Sequence, residues 1–172
     1  MEKLTPMYSI GDMVVHLNYG VGQIDGIEHR TVNEDKVECF KVKTTNGTYW
    51  FPTDSLDNPR IHPLASLELV KKAIEILQSA PGDLENDPIE WEERIDDVLN
   101  DGGLLAISSL VRDLSALKAQ KKINRMHDQT LSNLTDRLLI EWAASLKVST
   151  KSIIPRLRAY LKKSKSYLHS AA

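Results

Sequence analysis

The chain has 172 residues, 41% of them hydrophobic and 27% charged, a formal net charge of −2 and one cysteine, Cys39. That length allows one domain or two small ones, and the composition is that of an ordinary soluble globular protein. No apolar run approaches the roughly 18–20 residues that cross a bilayer, the N-terminus lacks the apolar centre of a secretory signal, and a lone cysteine excludes an internal disulfide or a cysteine-rich zinc site. A cytoplasmic protein is expected.

The first sixty residues read as short strands. "DMVVHL" follows the turn "IGD", and "YGVGQIDGIE" opens a second run with Gly20 and Gly22, which predicts a bend or a close backbone approach. "VNEDKVECFKVKT" predicts a polar turn and then alternation, with Val37, Cys39, Lys41 and Lys43 on one side and Glu38, Phe40 and Val42 on the other. Asn46-Gly47 signals a hairpin through residues that tolerate positive φ, and Pro52 ends the next strand by withholding its N–H. Four or five short strands in this length predict a small SH3- or Tudor-like β-barrel with at least one open edge strand.

From residue 64 the apolar period becomes helical. Leu67, Val70, Ile74 and Leu77 form one stripe capped by Ser66, and Pro81-Gly82 breaks it. Asp87, Pro88 and Glu90 form a capping-box pattern ahead of a helix carrying Trp91, Ile95 and Val98 or Leu99. Further stripes run through Leu104, Ile107, Leu110 or Val111, Leu114 and Leu117, and through Leu131, Leu134, Leu138, Trp142 and Leu146. A last helix presents Ile154, Leu157 and Leu161, with Pro155 in its first turn if Ser152 is the cap. The expected fold is α+β multidomain: the barrel over residues 1–63, then a bundle of about five helices over 64–172, with the boundary near Pro59–Pro63 in "NPRIHP".

Charge is segregated. Residues 83–101 hold nine acids against Arg94 alone, residues 112–165 hold thirteen Lys or Arg against four acids, and residues 147–165 hold seven bases and no acid. Such blocks are solvated faces, partners for one another inside the bundle, or surfaces for a phosphate backbone.

Signs of catalysis are scarce. There is no Walker loop, nucleophile elbow or dinucleotide fingerprint, and the five histidines lie scattered without metal-ligand spacing. The acidic cluster lacks the glycine and the alternating oxygen ligands of a calcium loop. The reading is a non-enzyme with no cofactor, no metal and no small-molecule substrate.

"YSIGDMVVHLNYGVGQIDGIEHRTV", "TYWFPTDSLDNPRI", and in the helical half "EW..R" followed by "LVRDL" together resemble the CarD/CdnL family of bacterial transcription regulators over roughly residues 7–163. The resemblance implies a Tudor-like module that binds the RNA polymerase β subunit and a helical domain that touches upstream promoter DNA and stabilises the open complex. The family's arginine after the "IE" strand falls on Arg30 and its following apolar residue on Val32. A second arginine, just before the proline, is replaced here by Trp50. The DNA-binding residues expected are Trp91, partly buried and wedged at the bubble edge, with Arg94, Lys121, Lys122 and Arg125. The sequence departs from the family just after Trp91, where Glu92, Glu93 and Asp96 stand in place of bases. Those acids motivate a second reading, a polymerase- or protein-binding adaptor whose helical domain binds protein and not DNA.

Overall fold

A computed structural model describes residues 7–55, 58, 60–85 and 87–170. The chain divides into two compact units, Met1–Leu64 and Ala65–Ala172. The fold is α+β, a five-stranded antiparallel Tudor-like sheet followed in sequence by five helices.

In the first unit β1 (Met13–His16), β2 (Gly20–Val32), β3 (Asp35–Thr44), β4 (Gly47–Pro52) and β5 (Ile61–Pro63) are ordered β4-β3-β2-β1-β5. "NPRIHP", read as a boundary, contains β5, which pairs with β1; Pro59 lies outside the described residues. β2 is long enough to serve both halves of the sheet because two devices reshape it. Gly22 packs so tightly that a Cβ there would lie 2.6 Å from Val42 Cγ1 and 2.9 Å from the Lys43 carbonyl oxygen, the close approach expected of that glycine. An irregularity between Ile24 and Gly26 leaves Asp25 unpaired, so the residues beyond it change face. The core on the inner face joins Tyr8, Val14, Ile24, Phe40, Val42, Tyr49, Phe51 and Ile61.

The hairpins differ from expectation. Thr44 pairs with Gly47, so the β3–β4 loop is Thr45-Asn46, and neither Asn46 nor Gly47 has positive φ. The Thr44 hydroxyl holds this turn, accepting from the Asn46 N–H and donating to the Gly47 carbonyl. Positive φ occurs instead at both residues of the β2–β3 loop, Asn33 (50°) and Glu34 (74°), which twists that two-residue hairpin in the sense strands prefer.

The second unit comprises α1 (Leu67–Gln78), α2 (Pro88–Asp101), α3 (Leu104–Ala119), α4 (Arg125–Leu146) and α5 (Thr150–Ser170). Ser66 caps α1, but the buried stripe is Val70, Ala73 and Leu77. Leu67 is exposed because it precedes the turn that meets the core. α2 opens on the full capping box: Asp87 accepts from the Ile89 and Glu90 N–H groups while Glu90 accepts from the Asp87 N–H. α3 lies at the centre, burying Leu104, Ile107, Leu110, Val111, Leu114 and Leu117. α4 buries Leu131, Leu134, Leu138 and Trp142. α5 starts at Thr150, so Pro155 stands inside the helix, past the first turn, and leaves the Lys151 carbonyl without its usual donor. The buried residues of α5 are Ile153, Leu157 and Ser164, with Ile154 and Leu161 half-buried.

Candidate functional site

Arg30, Val32 and Trp50 meet on one face of the sheet, and the irregularity at Asp25 puts them there. Strict alternation from the buried Ile24 would turn Glu28 and Arg30 toward the core. With Asp25 unpaired, Gly26 aligns with Lys41 and Trp50, Glu28 with Cys39 and Pro52, and Arg30 with Val37, all on the side away from Phe40 and Phe51. The Arg30 guanidinium lies 4.0 Å from the centre of the Trp50 ring. The indole Nε1 donates to Glu28 Oε2 at 3.0 Å, and Lys41 Nζ donates to Glu28 Oε1 at 3.1 Å. Those two donors hold the Glu28 carboxyl below the usual glutamate range. Val32, 47% exposed, ends the row next to the β2–β3 turn.

This is a small array with a purpose for each member. Glu28 fixes the indole orientation, and Arg30 covers one face of the ring. The indole's rotamer freedom is thereby already restricted, the condition under which an aromatic side chain can give affinity at low entropic cost. β4, the strand that carries Trp50, is one of the two edge strands of the sheet, β5 being the other.

The helical candidates are arranged differently. Trp91 is 3% exposed, so the partly buried ring expected at this helix is instead packed in the core with Ile95 and Val98. Its ring lies 6.5 Å from that of His127, and a shallow pocket of about 190 Å³ beside it is lined by Leu84, Pro88, Leu117, Lys122, Asn124 and His127 as well. The reason is the capping box. Asp87 starts α2 four residues before Trp91, which turns that position, with Ile95 and Val98, toward α3.

Arg94 is also drawn inward. Its Nη2 donates to Asp113 Oδ2 and, at 3.3 Å, to Ser109 Oγ, and its guanidinium sits 5.3 Å from the Trp91 ring centre. Asp113 is 1% exposed and accepts from three further donors: Arg112 Nε at 2.7 Å, Arg112 Nη2 at 3.2 Å and the Gly82 N–H at 2.9 Å. Arg112 Nη1 donates in turn to Ser79 Oγ at 2.8 Å. Burial raises the Asp113 carboxyl pKa, but the hydrogen bonds from Arg112, Gly82 and Arg94 outweigh it and the net shift is downward. "EW..R" and "LVRDL" are thus two halves of one buried ionic node. Reading the motifs as separate signatures misses it; the signal was Asp113 itself, an acid set between Leu110, Leu114 and Leu117 on the apolar face of α3.

Lys121, Lys122 and Arg125 are exposed and close together, in the turn between α3 and α4 and at the first residue of α4. Lys121 adopts φ 58°, and Lys118 is held by Asp128 at 2.7 Å. The acids of α2 do not neutralise the bases of α5. Among the described residues no ion pair joins the two segments, and the only one made by a residue of α2 is that of Arg94 with Asp113.

A Tudor-like sheet with an arginine–tryptophan pair on its outer face is followed in sequence by a helical unit built on a buried Arg–Asp node. Residues 8–65 match the family described as the CarD-like/TRCF RID domain, and the chain carries that domain. The chain is also 26% identical over 152 residues to a protein of Bacillus subtilis (strain 168) named "Putative transcription factor YdeB", an alignment covering 86% of this chain and 97% of that one. The second match extends through the helices, and the two together support the CarD/CdnL family and a transcription-associated regulator.

Proposed function

We propose that this chain regulates transcription by docking on the β subunit of RNA polymerase through the sheet face built by Arg30, Val32 and Trp50, and that its helical unit then contacts upstream promoter DNA and stabilises the open complex. The protein does this by binding alone. The observation that carries the docking is the preorganised indole: Glu28 and Arg30 hold Trp50 on β4, an edge strand of the sheet. An edge strand supplies unpaired backbone groups for a partner strand, and the ring and guanidinium supply side-chain selectivity. Of the expected DNA contacts, Lys121, Lys122 and Arg125 are the exposed ones.

One observation favours the second reading, an adaptor whose helical unit binds protein. The α2 acids Glu92, Glu93 and Asp96 are exposed while Trp91 is enclosed, so the solvated face of α2 repels phosphate.

Capture of the full-length chain on purified polymerase tests the docking. Trp50→Ala and Arg30→Glu are expected to weaken it by roughly 30-fold or more, the loss of a hot spot worth about 2 kcal/mol, with far-UV circular dichroism unchanged. Wild-type capture by both folded variants sinks the proposal. Open-complex lifetime on a fork-junction promoter separates the readings: an added chain that docks but leaves the lifetime unchanged is the adaptor.

A further inference from the structure

We infer that the outer face of α5 is a docking surface for the phosphate backbone of duplex DNA. At 100° and 1.5 Å per residue, Lys151, Arg158, Lys162 and Lys165 fall within a sector of about 60° along about 21 Å of the helix. Lys151, Arg158 and Lys162 are exposed and Lys165 half-exposed, and among the described residues none of the four has an ion-pair partner. The positions between them are Pro155, Ala159 and Ser166, which let a backbone come close.

The composition of this face selects the partner. Lysine is depleted in protein–protein interfaces, and this row holds no exposed aromatic or aliphatic anchor. A membrane-surface helix needs a free apolar side, whereas Ile153 and Leu157 are buried and Ile154 and Leu161 packed against the core. What remains is a rigid, acid-free row of cations. A duplex offers about six phosphates per strand over the same length. The contacts inferred are to phosphates, which carry no sequence information, so the binding is expected to be independent of sequence. The inference deepens the promoter-DNA part of the reading above and is independent of Trp50.

Anisotropy of a fluorescein-labelled 25-base-pair mixed-sequence duplex, titrated with the full-length chain across a salt series, tests it. The four contacts contribute about −3.6 to the log–log salt slope, and replacing Arg158, Lys162 and Lys165 by Gln should make the slope shallower by about 2.7. The triple variant should retain wild-type circular dichroism and polymerase capture, so a failure here is distinct from a failure of docking. The inference is overturned if the triple variant keeps the slope while Lys121→Gln/Lys122→Gln/Arg125→Gln loses it. It is equally overturned if the wild type binds no duplex at low salt, or if a poly-glutamate peptide or vesicles of phosphatidylserine and phosphatidylcholine compete as well as unlabelled duplex.

Discussion

Asp113 shows how one side chain organises the helical unit. It is buried and accepts from two guanidiniums and a backbone N–H, so its charge is compensated only while all of them stay in place. Removing one partner of a buried pair leaves the others unpaired in a low-dielectric site, which costs about 3–5 kcal/mol. Asp113→Asn should therefore lower stability by about that much at neutral pH, measured by urea denaturation. Because the folded carboxyl titrates below its ordinary value of 3.8, its contribution is present above that pH and is lost as pH falls from there through the lower pKa of the folded state. The gap between wild type and variant should close as the solution is acidified below about 4. The same node answers why α2 keeps a tryptophan among acids. The ring belongs to the core stripe and the carboxylates to the opposite, solvated face, so the helix is amphipathic in the ordinary sense. The stripe Trp91–Ile95–Val98 was readable from spacing alone; the burial of the ring was not, because spacing gives the face and not the depth.

At the scale of elements, strands and helices were legible where period and punctuation agreed. The capping box of α2, the stripe of α3 and the end of β4 at Pro52 all follow from local residues. The misreadings came where a long-range contact overruled a local signal. Asn46-Gly47 marked a hairpin correctly, but Thr44 holds the turn one residue earlier, and Pro155 sits beyond the first turn because α5 begins before Ser152. Least legible was the unpaired Asp25, since nothing in "GQIDGIE" announces which residue leaves the ladder. That one residue places Arg30 and Trp50 on a common face. Gly22, just upstream, admits no side chain. Gly22→Ala would press a methyl against Val42 and the Lys43 carbonyl, and overpacking of this kind costs about 1–3 kcal/mol. Chemical denaturation should show that loss. Gly26→Ala, with nothing within 4 Å of its added carbon, provides the control and should lose less.

For the whole molecule, three tryptophans report on the two units separately. Trp50 lies on the exposed sheet face, while Trp91 and Trp142 are 3% and 2% exposed in the helical core. Of the charge blocks visible in the sequence, the acids lie on α2 and the bases on α5, and among the described residues no ion pair joins them. Trp91 is packed in the helical core, so if DNA docks on α5 as proposed, binding should leave the ring where it is. Fluorescence tests this directly. Acrylamide should quench mainly Trp50, and Trp50→Phe should leave a blue-shifted, poorly quenched emission from the other two. Adding a promoter duplex to the Trp50→Phe variant should leave that emission in place even when anisotropy shows the DNA bound. A red shift on binding, abolished in Trp50→Phe/Trp91→Phe, would mean that the ring swings out to the DNA. It would return the wedge to the mechanism and make α5 an auxiliary contact.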